Sequence, residues 1–516
     1  MVYLLPEIIK NSANRYPDNI AFRYENDSLT FKELVRRSNQ LARMLSELGV
    51  HRGDRVGIFL DPSLETAISV YGIMSAGAVF VPLDPNAPPA RIAFVINDCG
   101  IRHIISGKKQ SRSLNKVLEE DVSLKVVIGI DEKLPVKTVS WEEVAQISPS
   151  QTFSVRMLED DLAYIMYTSG TTGTPKGIMH SHRSGLAYAK LSMSVYDVRP
   201  TDILANHSPL HSDISTLGYF TMPLAGGTTV LIPESYKLIP ASLSQLMEKE
   251  RVTIWYSVPL ALTQLLQRGT LEGRKIDSLR WVLFGGEPFP TKHLRSLMTL
   301  WNKAKFSNVY GPTEVNQCTY MNLTELPEVD APIPLGHVWN NTEVLIVDNN
   351  DVEVYDGEIG ELLVRSATMM KGYWGKPGLT QKGFFKRGKF PNAEEVFYRT
   401  GDLVWRNKDG HLMFAGRKDR QIKIRGYRIE LDEIESVLMS YSYIIETAVY
   451  YFKNEEQESS IEALVVLSEP GGTTEENIKK YLAAKLPAYA VPGRIYFSET
   501  IPRTPAGKID YKKLKN

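Results

Sequence analysis

The stretch from Leu162 to Gly177 constrains this chain more than any other. Leu162-Ala163-Tyr164-Ile165-Met166-Tyr167 is an apolar run of strand length, and it feeds directly into Thr168-Ser169-Gly170-Thr171-Thr172-Gly173-Thr174-Pro175-Lys176-Gly177. A buried strand that ends in a hydroxyl-rich glycine loop predicts an open α/β sheet presenting a ligand at a strand end. The glycines let backbone approach an oxyanion without a Cβ in the way, the hydroxyls supply donors, and Lys176 adds a cation suited to a polyphosphate. By composition alone the loop is also compatible with a mobile surface turn. It is not a P-loop of the G-x-x-x-x-G-K-[ST] kind, because Gly177 follows Lys176.

The same strand and helix alternation surrounds this stretch. Strands are expected at Val56–Leu60, Val79–Leu83, Ile101–Ser106 and Leu124–Ile130, then at Thr253–Val258, Leu279–Phe284 and Phe306–Tyr310. Helices are expected over Leu34–Leu48, stopped by Gly49, and over Leu64–Ala76 and His182–Val195. A mostly parallel sheet with crossover helices accommodates this order. From about 342 to 414 the texture changes to short glycine-punctuated strands, a β-rich subdomain. After a charged linker, residues 421–516 read β, α, β, β, α, a small α+β unit. At 516 residues the chain is long enough for more than one domain.

Sixty Lys plus Arg balance sixty Asp plus Glu, so no nucleic acid or anionic membrane is expected as a general partner. Cys99 and Cys318 are the two cysteines, far apart and in unlike surroundings, which speaks against a disulfide framework or a Cys-rich metal site. Pro6, Glu7, Lys10 and Asn11 interrupt the first turns, so no signal peptide or membrane span is expected there, and a cytoplasmic protein is the expectation.

Four further runs carry chemistry. Tyr310-Gly311-Pro312-Thr313-Glu314 sets an aromatic ring, a hydroxyl and a carboxylate on one tight turn, groups able to stack on a base, bond a phosphate and hold Mg²⁺; read alone it is also an ordinary turn. In Tyr398-Arg399-Thr400-Gly401-Asp402-Leu403 the carboxylate could accept from a ribose diol, or be a surface turn acid. Gly416 to Gly426 alternates basic and apolar residues, a pattern equally consistent with an edge strand bearing a solvated face. Pro502-Arg503-Thr504-Pro505-Ala506-Gly507-Lys508 restricts one lysine to a defined loop. His207 and His211 lack a Ser or Cys nucleophile elbow and read as pocket or packing residues, as does Cys318.

In order and spacing, these runs resemble the adenylate-forming superfamily: acyl-CoA synthetases, luciferases and the adenylation domains of nonribosomal peptide synthesis. The resemblance runs end to end, with weaker matches at Leu29–Leu34, Val81–Pro85, Gly357–Leu362 and Leu486–Tyr489. It implies an N-terminal adenylation core over 1–417, a hinge at 418–420 centred on Asp419, and a mobile C-terminal lid over 421–516. It implies ATP and Mg²⁺, with a carboxylate attacking the α-phosphate to give an acyl-AMP and a thiol then taking the acyl group. The loop residues Thr168, Ser169, Gly170, Thr171, Thr172, Gly173 and Lys176 would hold the β- and γ-phosphates. Gly286, Glu287, Asn308, Val309, Tyr310, Gly311 and Pro312 would surround the nucleotide, Asn308 and Tyr310 holding the adenine. Thr313 would meet the α-phosphate, Glu314 the metal, and Asp402 and Arg417 the ribose, with Phe414 nearby. Lys508 would bridge substrate carboxylate and α-phosphate; Lys508, Glu314, Thr313 and Thr168 form the implied catalytic set.

Within that superfamily, His207 to Ser215 resembles the segment where amino-acid-activating members place an aspartate for the substrate ammonium, matched here by Asp213. A buried carboxylate suits an amino acid and not a fatty acid. The matching specificity positions are Asp213, Ile214, Leu217, Tyr256, Leu283, Gly285, Val309, Gln317, Cys318 and Lys508, a mostly apolar pocket most like that of free-standing ligases that load L-proline onto a carrier protein. Gln317 and Gly285 depart from that set and could admit a substituted or larger relative; Ser212 stands where an aromatic is common. The chain stops eight residues after Lys508, so a separate carrier protein with a phosphopantetheine thiol is the expected acceptor, as in antibiotic or other secondary-metabolite biosynthesis. D-alanine:carrier-protein ligation, a small-acid acyl-CoA ligase and an inactive adenylate-fold scaffold are the alternatives.

Overall fold

The computed structural model describes residues 2–148, 155–170, 174–328, 331–390, 393–453, 459–469, 471–503, 509–511 and 513–515. The strand and helix alternation is divided between two large sheets. In the first, Arg55–Ile58, Val79–Pro82, His103–Ile105, Val126–Ile128 and Lys137–Val139 run parallel, and Val79–Pro82 pairs in parallel with Leu162–Thr168. Lys176–Ser181 then pairs antiparallel with Leu162–Thr168, which makes the glycine loop the connection of a hairpin. In the second sheet Ile20–Tyr24, Thr228–Leu231, Ile203–Asn206, Ile254–Ser257, Trp281–Gly285 and Lys305–Tyr310 are parallel, with antiparallel strands at both edges. Gly286-Glu287 and Gly311 to Glu314 therefore emerge side by side at the carboxyl ends of adjacent parallel strands, where such sheets bind ligands.

The largest core cluster lies between the sheets and joins Val56, Ile58 and Phe80 of one to Phe22 and Leu231 of the other. Helix Leu64–Ser75 fills that space and is buried along nearly its whole length, as its lack of a polar face requires. Helix Phe31–Glu47 packs against it, opened by a capping box in which Thr30 and Glu33 satisfy each other's backbone N–H groups.

Between Thr342 and Arg417 the glycine-punctuated texture becomes an antiparallel sheet of Thr342–Val347, Gly360–Ser366, Ala393–Arg406, Phe384–Phe390 and Leu412–Arg417. Beyond it stands a hairpin, Gln421–Ile424 with Tyr427–Glu430, then helix Leu431–Met439, the strands Ile444–Lys453, Ser459–Leu467 and Arg494–Phe497, and helix Glu475–Ala483. This part has its own core, built on Ile434, Leu438, Val449, Val465, Ile478 and Leu482. The whole is an α/β fold of two β/α sheets, a β-rich portion and a small α+β C-terminal portion.

Gly72, inside helix Leu64–Ser75, sits beneath Leu41: a Cβ there would lie 2.6 Å from Leu41 Cδ2 and 2.9 Å from its Cγ. Alanine gains about 1 kcal/mol of helix propensity over glycine, whereas overpacking a full core costs about 1–3 kcal/mol. Because Leu41 is itself fully buried and cannot swing aside, Gly72→Ala should be net destabilising, by up to about 2 kcal/mol in urea unfolding; a stabilising result would show that the helix pair can relax.

Candidate active site

Glu314 is fully buried where the two sheets and the C-terminal hairpin meet. A carboxylate without solvent must be paired. Arg428 Nη1 donates to Oε2 at 2.7 Å, the Tyr373 hydroxyl donates to Oε1 at 2.8 Å, and Lys176 Nζ stands 3.6 Å from Oε1. Burial alone would raise its pKa, but Arg428 and Lys176 outweigh burial and hold it well below the usual carboxylate range. Lys176 also lies over the Tyr373 ring at 4.8 Å. Burial, followed by the Arg428 charge, lowers the Lys176 pKa, partly offset by Glu314. The Ser169 hydroxyl donates to the Arg428 carbonyl at 2.7 Å, so the glycine loop and the C-terminal hairpin meet directly.

Beside this group, Tyr310 and Asp402 are joined by a hydrogen bond from the phenol to Oδ2, and Arg417 Nη1 donates to Asp402 Oδ1 at 2.8 Å. Arg417 continues to Asp419 Oδ1, also at 2.8 Å, tying the end of strand Leu412–Arg417 to the linker. Although burial works against the charge, Asp419 and Asp402 raise the Arg417 pKa. Asn308 Nδ2 donates to the Pro334 carbonyl at 2.8 Å. His180 Nε2 holds the Thr313 carbonyl at 2.9 Å, a contact with no counterpart in the sequence reading.

Asp213 opens a short 3₁₀ turn, Asp213–Ser215, on the floor of the same cleft. Burial raises its pKa, against the Thr313 hydroxyl, Lys423 and the Ile214 N–H, which favour the ionised form. Lys423 enters from strand Gln421–Ile424 and lines the cleft with Asp213 and Asp402. Burial pushes its pKa down, while Asp402 and, more weakly, Asp213 push it up. The turn carrying it is seated on the N-terminal part. Gly426, at φ +80°, lies where a Cβ would come within 2.5 Å of Val258 Cγ1, and burial raises the pKa of Glu287 against the N–H groups of Leu260, Arg425 and Gly426, which favour its ionised form. With Lys423 and Arg428 in place about 70 Å³ of the cleft remains, against the roughly 300–1,000 Å³ of an ordinary small-molecule site.

Of the residues singled out in the sequence, Asp213, Ile214, Tyr256, Gly286, Val309, Gly311, Pro312, Thr313, Gln317, Asp402 and Arg417 line this cleft, as does Ser212. Tyr310 and Glu314 lie just beneath it. Leu217 and Leu283 belong to the packed cluster behind Tyr256 and Val309, and Cys318 is buried beside the Tyr310 carbonyl. Gly285 makes no room for a substrate: a Cβ there would lie 2.2 Å from the Val309 carbonyl oxygen, so the close approach of neighbouring backbone accounts for the glycine. Phe414 is 41 % exposed and does not line the cleft. Thr171, Thr172, Gly173 and Lys508 lie outside the described residues; Arg503 and Ile509, flanking Lys508, bridge each other, Ile509 packing beside Ala448, Val466 and Ile501.

Lys423, Arg428 and Tyr373 were missed as site residues. The alternation of Gly416 to Gly426 admitted a solvated edge, and the structure corrects that alternative for Lys423, which faces the cleft. Burial pushes His207 down to about 3, too weakly basic to take a proton near neutral pH, in keeping with a packing role. Both cysteines are free and buried.

The arrangement places a cation-paired carboxylate beside a hydroxyl-rich loop, with a tyrosine, aspartate and arginine chain on one side and a cleft floored by a second carboxylate on the other. Comparison with known proteins places the chain in a family. The model of the AMP-binding enzyme family matches residues 9–374, and that of the AMP-binding enzyme C-terminal domain matches residues 433–508. An L-proline--[L-prolyl-carrier protein] ligase of Pseudomonas fluorescens is 32 % identical over 509 residues, 98 % of each chain. Zwittermicin A synthase ZmaJ of Bacillus cereus is 30 % identical, covering 99 % of this chain and 94 % of that one. An amide bond synthetase from Marinactinospora thermotolerans shares the fold at a TM-score of 0.88 and 24 % identity, over 99 % of both chains. Matched by both family models and along its whole length by curated relatives, the chain belongs to the adenylate-forming, AMP-binding enzyme family.

Proposed function

We propose that the protein activates an amino acid, proline or a close analogue, as the aminoacyl-AMP and passes it to the phosphopantetheine thiol of a separate carrier protein. The observation that carries this reading is Asp213. Its carboxylate lies at the floor of an enclosed cleft, with Thr313 and the more distant Lys423 as its electrostatic partners, an environment that favours a substrate bringing its own ammonium group. The relative that ligates L-proline to a carrier protein supports the same reading.

In the first step the substrate carboxylate attacks the α-phosphorus of ATP, the acyl C–O–P linkage forms and pyrophosphate leaves. Thr168, Ser169, Gly170, Lys176 and the adjoining loop would grip the departing phosphates, and Thr313 the α-phosphate. Asp402 and Arg417 would hold the ribose, and Lys508 would stabilise the charge that grows between carboxylate and phosphate. Glu314 fits Mg²⁺ by the hardness of its carboxylate once Arg428 withdraws, for both cannot occupy its oxygens. Bound there, the ion would neutralise phosphate charge.

The close seating of Lys423 and Arg428 in the cleft supports a second arrangement, adopted after pyrophosphate has left, in which the hinge at Asp419 has turned residues 421–516 and the thiol attacks the acyl carbon, releasing AMP. The C-terminal segment would thus offer Lys508 to one step and the Gln421–Glu430 hairpin to the other.

Amino-acid-dependent exchange of pyrophosphate into ATP tests the reading. Exchange is expected with prolines or similar small amino acids and to fall at least one hundredfold in Asp213→Ala and Lys508→Ala. Exchange restricted to short carboxylic acids without an amine would replace the reading with an acyl-CoA ligase, and D-alanine in the panel separates the cell-wall alternative. Lys176→Ala is expected to slow adenylation more than carrier loading, and Arg428→Ala the reverse; equal losses in both steps would count against this division. Because the Asp213 pKa is raised and binding needs its ionised form, KM for the amino acid should rise as pH falls through that raised pKa, with kcat changing less; a flat KM profile over pH 4–7 would remove Asp213 from ammonium binding.

A further inference from the structure

Gln317 lines the cleft beside Asp213, Ile214, Tyr256 and Val309, and only 3 % of it is exposed. Its Nε2 donates to the Tyr256 hydroxyl at 2.6 Å, which fixes the carboxamide in place. Its Oε1 is buried and has no hydrogen-bond partner among the described residues. A buried carbonyl left unpaired carries its full desolvation penalty, and native proteins rarely retain one at a packing position. Thr313, Asn316, Gln421, Lys423 and Arg428 also line the cleft and carry donors, yet none of them pairs with Oε1, and Asp213, an acceptor when ionised, cannot donate to it.

We infer that Gln317 reads a hydroxyl on the substrate side chain, so that the acid activated is a hydroxylated cyclic or short-chain amino acid in preference to its unsubstituted counterpart. This rests on the amino-acid-activating reading of the site. With the ammonium at Asp213, the side chain would lie among Ile214, Val309, Tyr256 and Gln317, which line the same cleft. A hydroxyl suits either orientation of the carboxamide. It donates to Oε1 as the amide stands; with the amide turned over, Tyr256 donates to Oε1 and the substrate oxygen accepts from Nε2. An aliphatic end satisfies neither. Sites built to bond a substrate hydroxyl discriminate strongly against the analogue that lacks it, because their own polar group is then stranded.

The test is pyrophosphate exchange by the full-length enzyme with matched pairs: L-proline against its cis- and trans-4-hydroxy and 3-hydroxy derivatives, pipecolate against 5-hydroxypipecolate, and 2-aminobutyrate against threonine and homoserine. In the best-used pair the hydroxylated member is expected to have a kcat/KM at least tenfold higher. Gln317→Leu is expected to reverse that order of kcat/KM within the pair, and Gln317→Met serves as a second variant should leucine impair folding. If the apolar member equals or exceeds its hydroxylated partner in every pair that supports exchange, the inference is overturned while amino-acid activation stands. If no amino acid in a broad panel supports exchange, the activation reading fails and the inference with it.

Discussion

A carboxylate held entirely out of water is the constraint on which the rest of this site depends. Glu314 cannot remain charged there unless cations reach it, and the two that do come from segments far apart in the chain, Lys176 after the glycine loop and Arg428 in the C-terminal hairpin. Removing water strengthens each of these interactions and makes each omission expensive. The Tyr373 hydroxyl completes the set from a third segment, a two-residue strand paired antiparallel with Lys176–Ser181. The position of the C-terminal portion on the N-terminal one is thus tied to the protonation and pairing of a single side chain. Arg91 with Glu433, at 2.7 Å and largely buried, adds a second ion pair across the same junction.

The same economy governs the cleft floor. Asp213 and Lys423 share one low-water environment with Asp402, and the directions of the Asp213 and Lys423 pKa shifts express the competition. Burial disfavours charge on Asp213 and Lys423 alike, and each partly restores the other. Such a set is easily rebalanced. A substrate ammonium beside Asp213, or a phosphate near Thr313, changes which charged groups the cleft tolerates, and this offers a physical route by which occupancy could bias where the hairpin sits.

Much of the architecture was legible from periodicity. Helices His182–Val195 and Phe31–Glu47 fall at or close to where apolar spacing placed them, because each satisfies its backbone locally and shows one face to a core. The division of the parallel strands between two sheets was not legible, since strand neighbours are chosen over long sequence distances. Nor was the role of Gly285. The sequence suggested spare room there, whereas the Val309 carbonyl leaves none. At the site, Thr313 and Asp402 stood out as unusual chemistry in tight turns, and Asp213 and Arg417 through the resemblance to the family. Lys423 and Arg428 did not, since a basic and apolar alternation looks the same on an exposed edge as in a closed cleft.

By itself, the amino-acid sequence determined the α/β alternation, the glycine loop, the order of the motifs and the family they belong to, because these are written in short-range spacing, turn residues and side-chain type. Tertiary structure alone decided which groups meet: that Arg428 takes the Glu314 carboxylate, that Lys423 lines the cleft with Asp213, and that Gln317, lining the same cleft, keeps its carboxamide oxygen unpaired. Those outcomes follow from burial, which sets the strength of each charge and hydrogen bond and exists only once distant segments have closed around them.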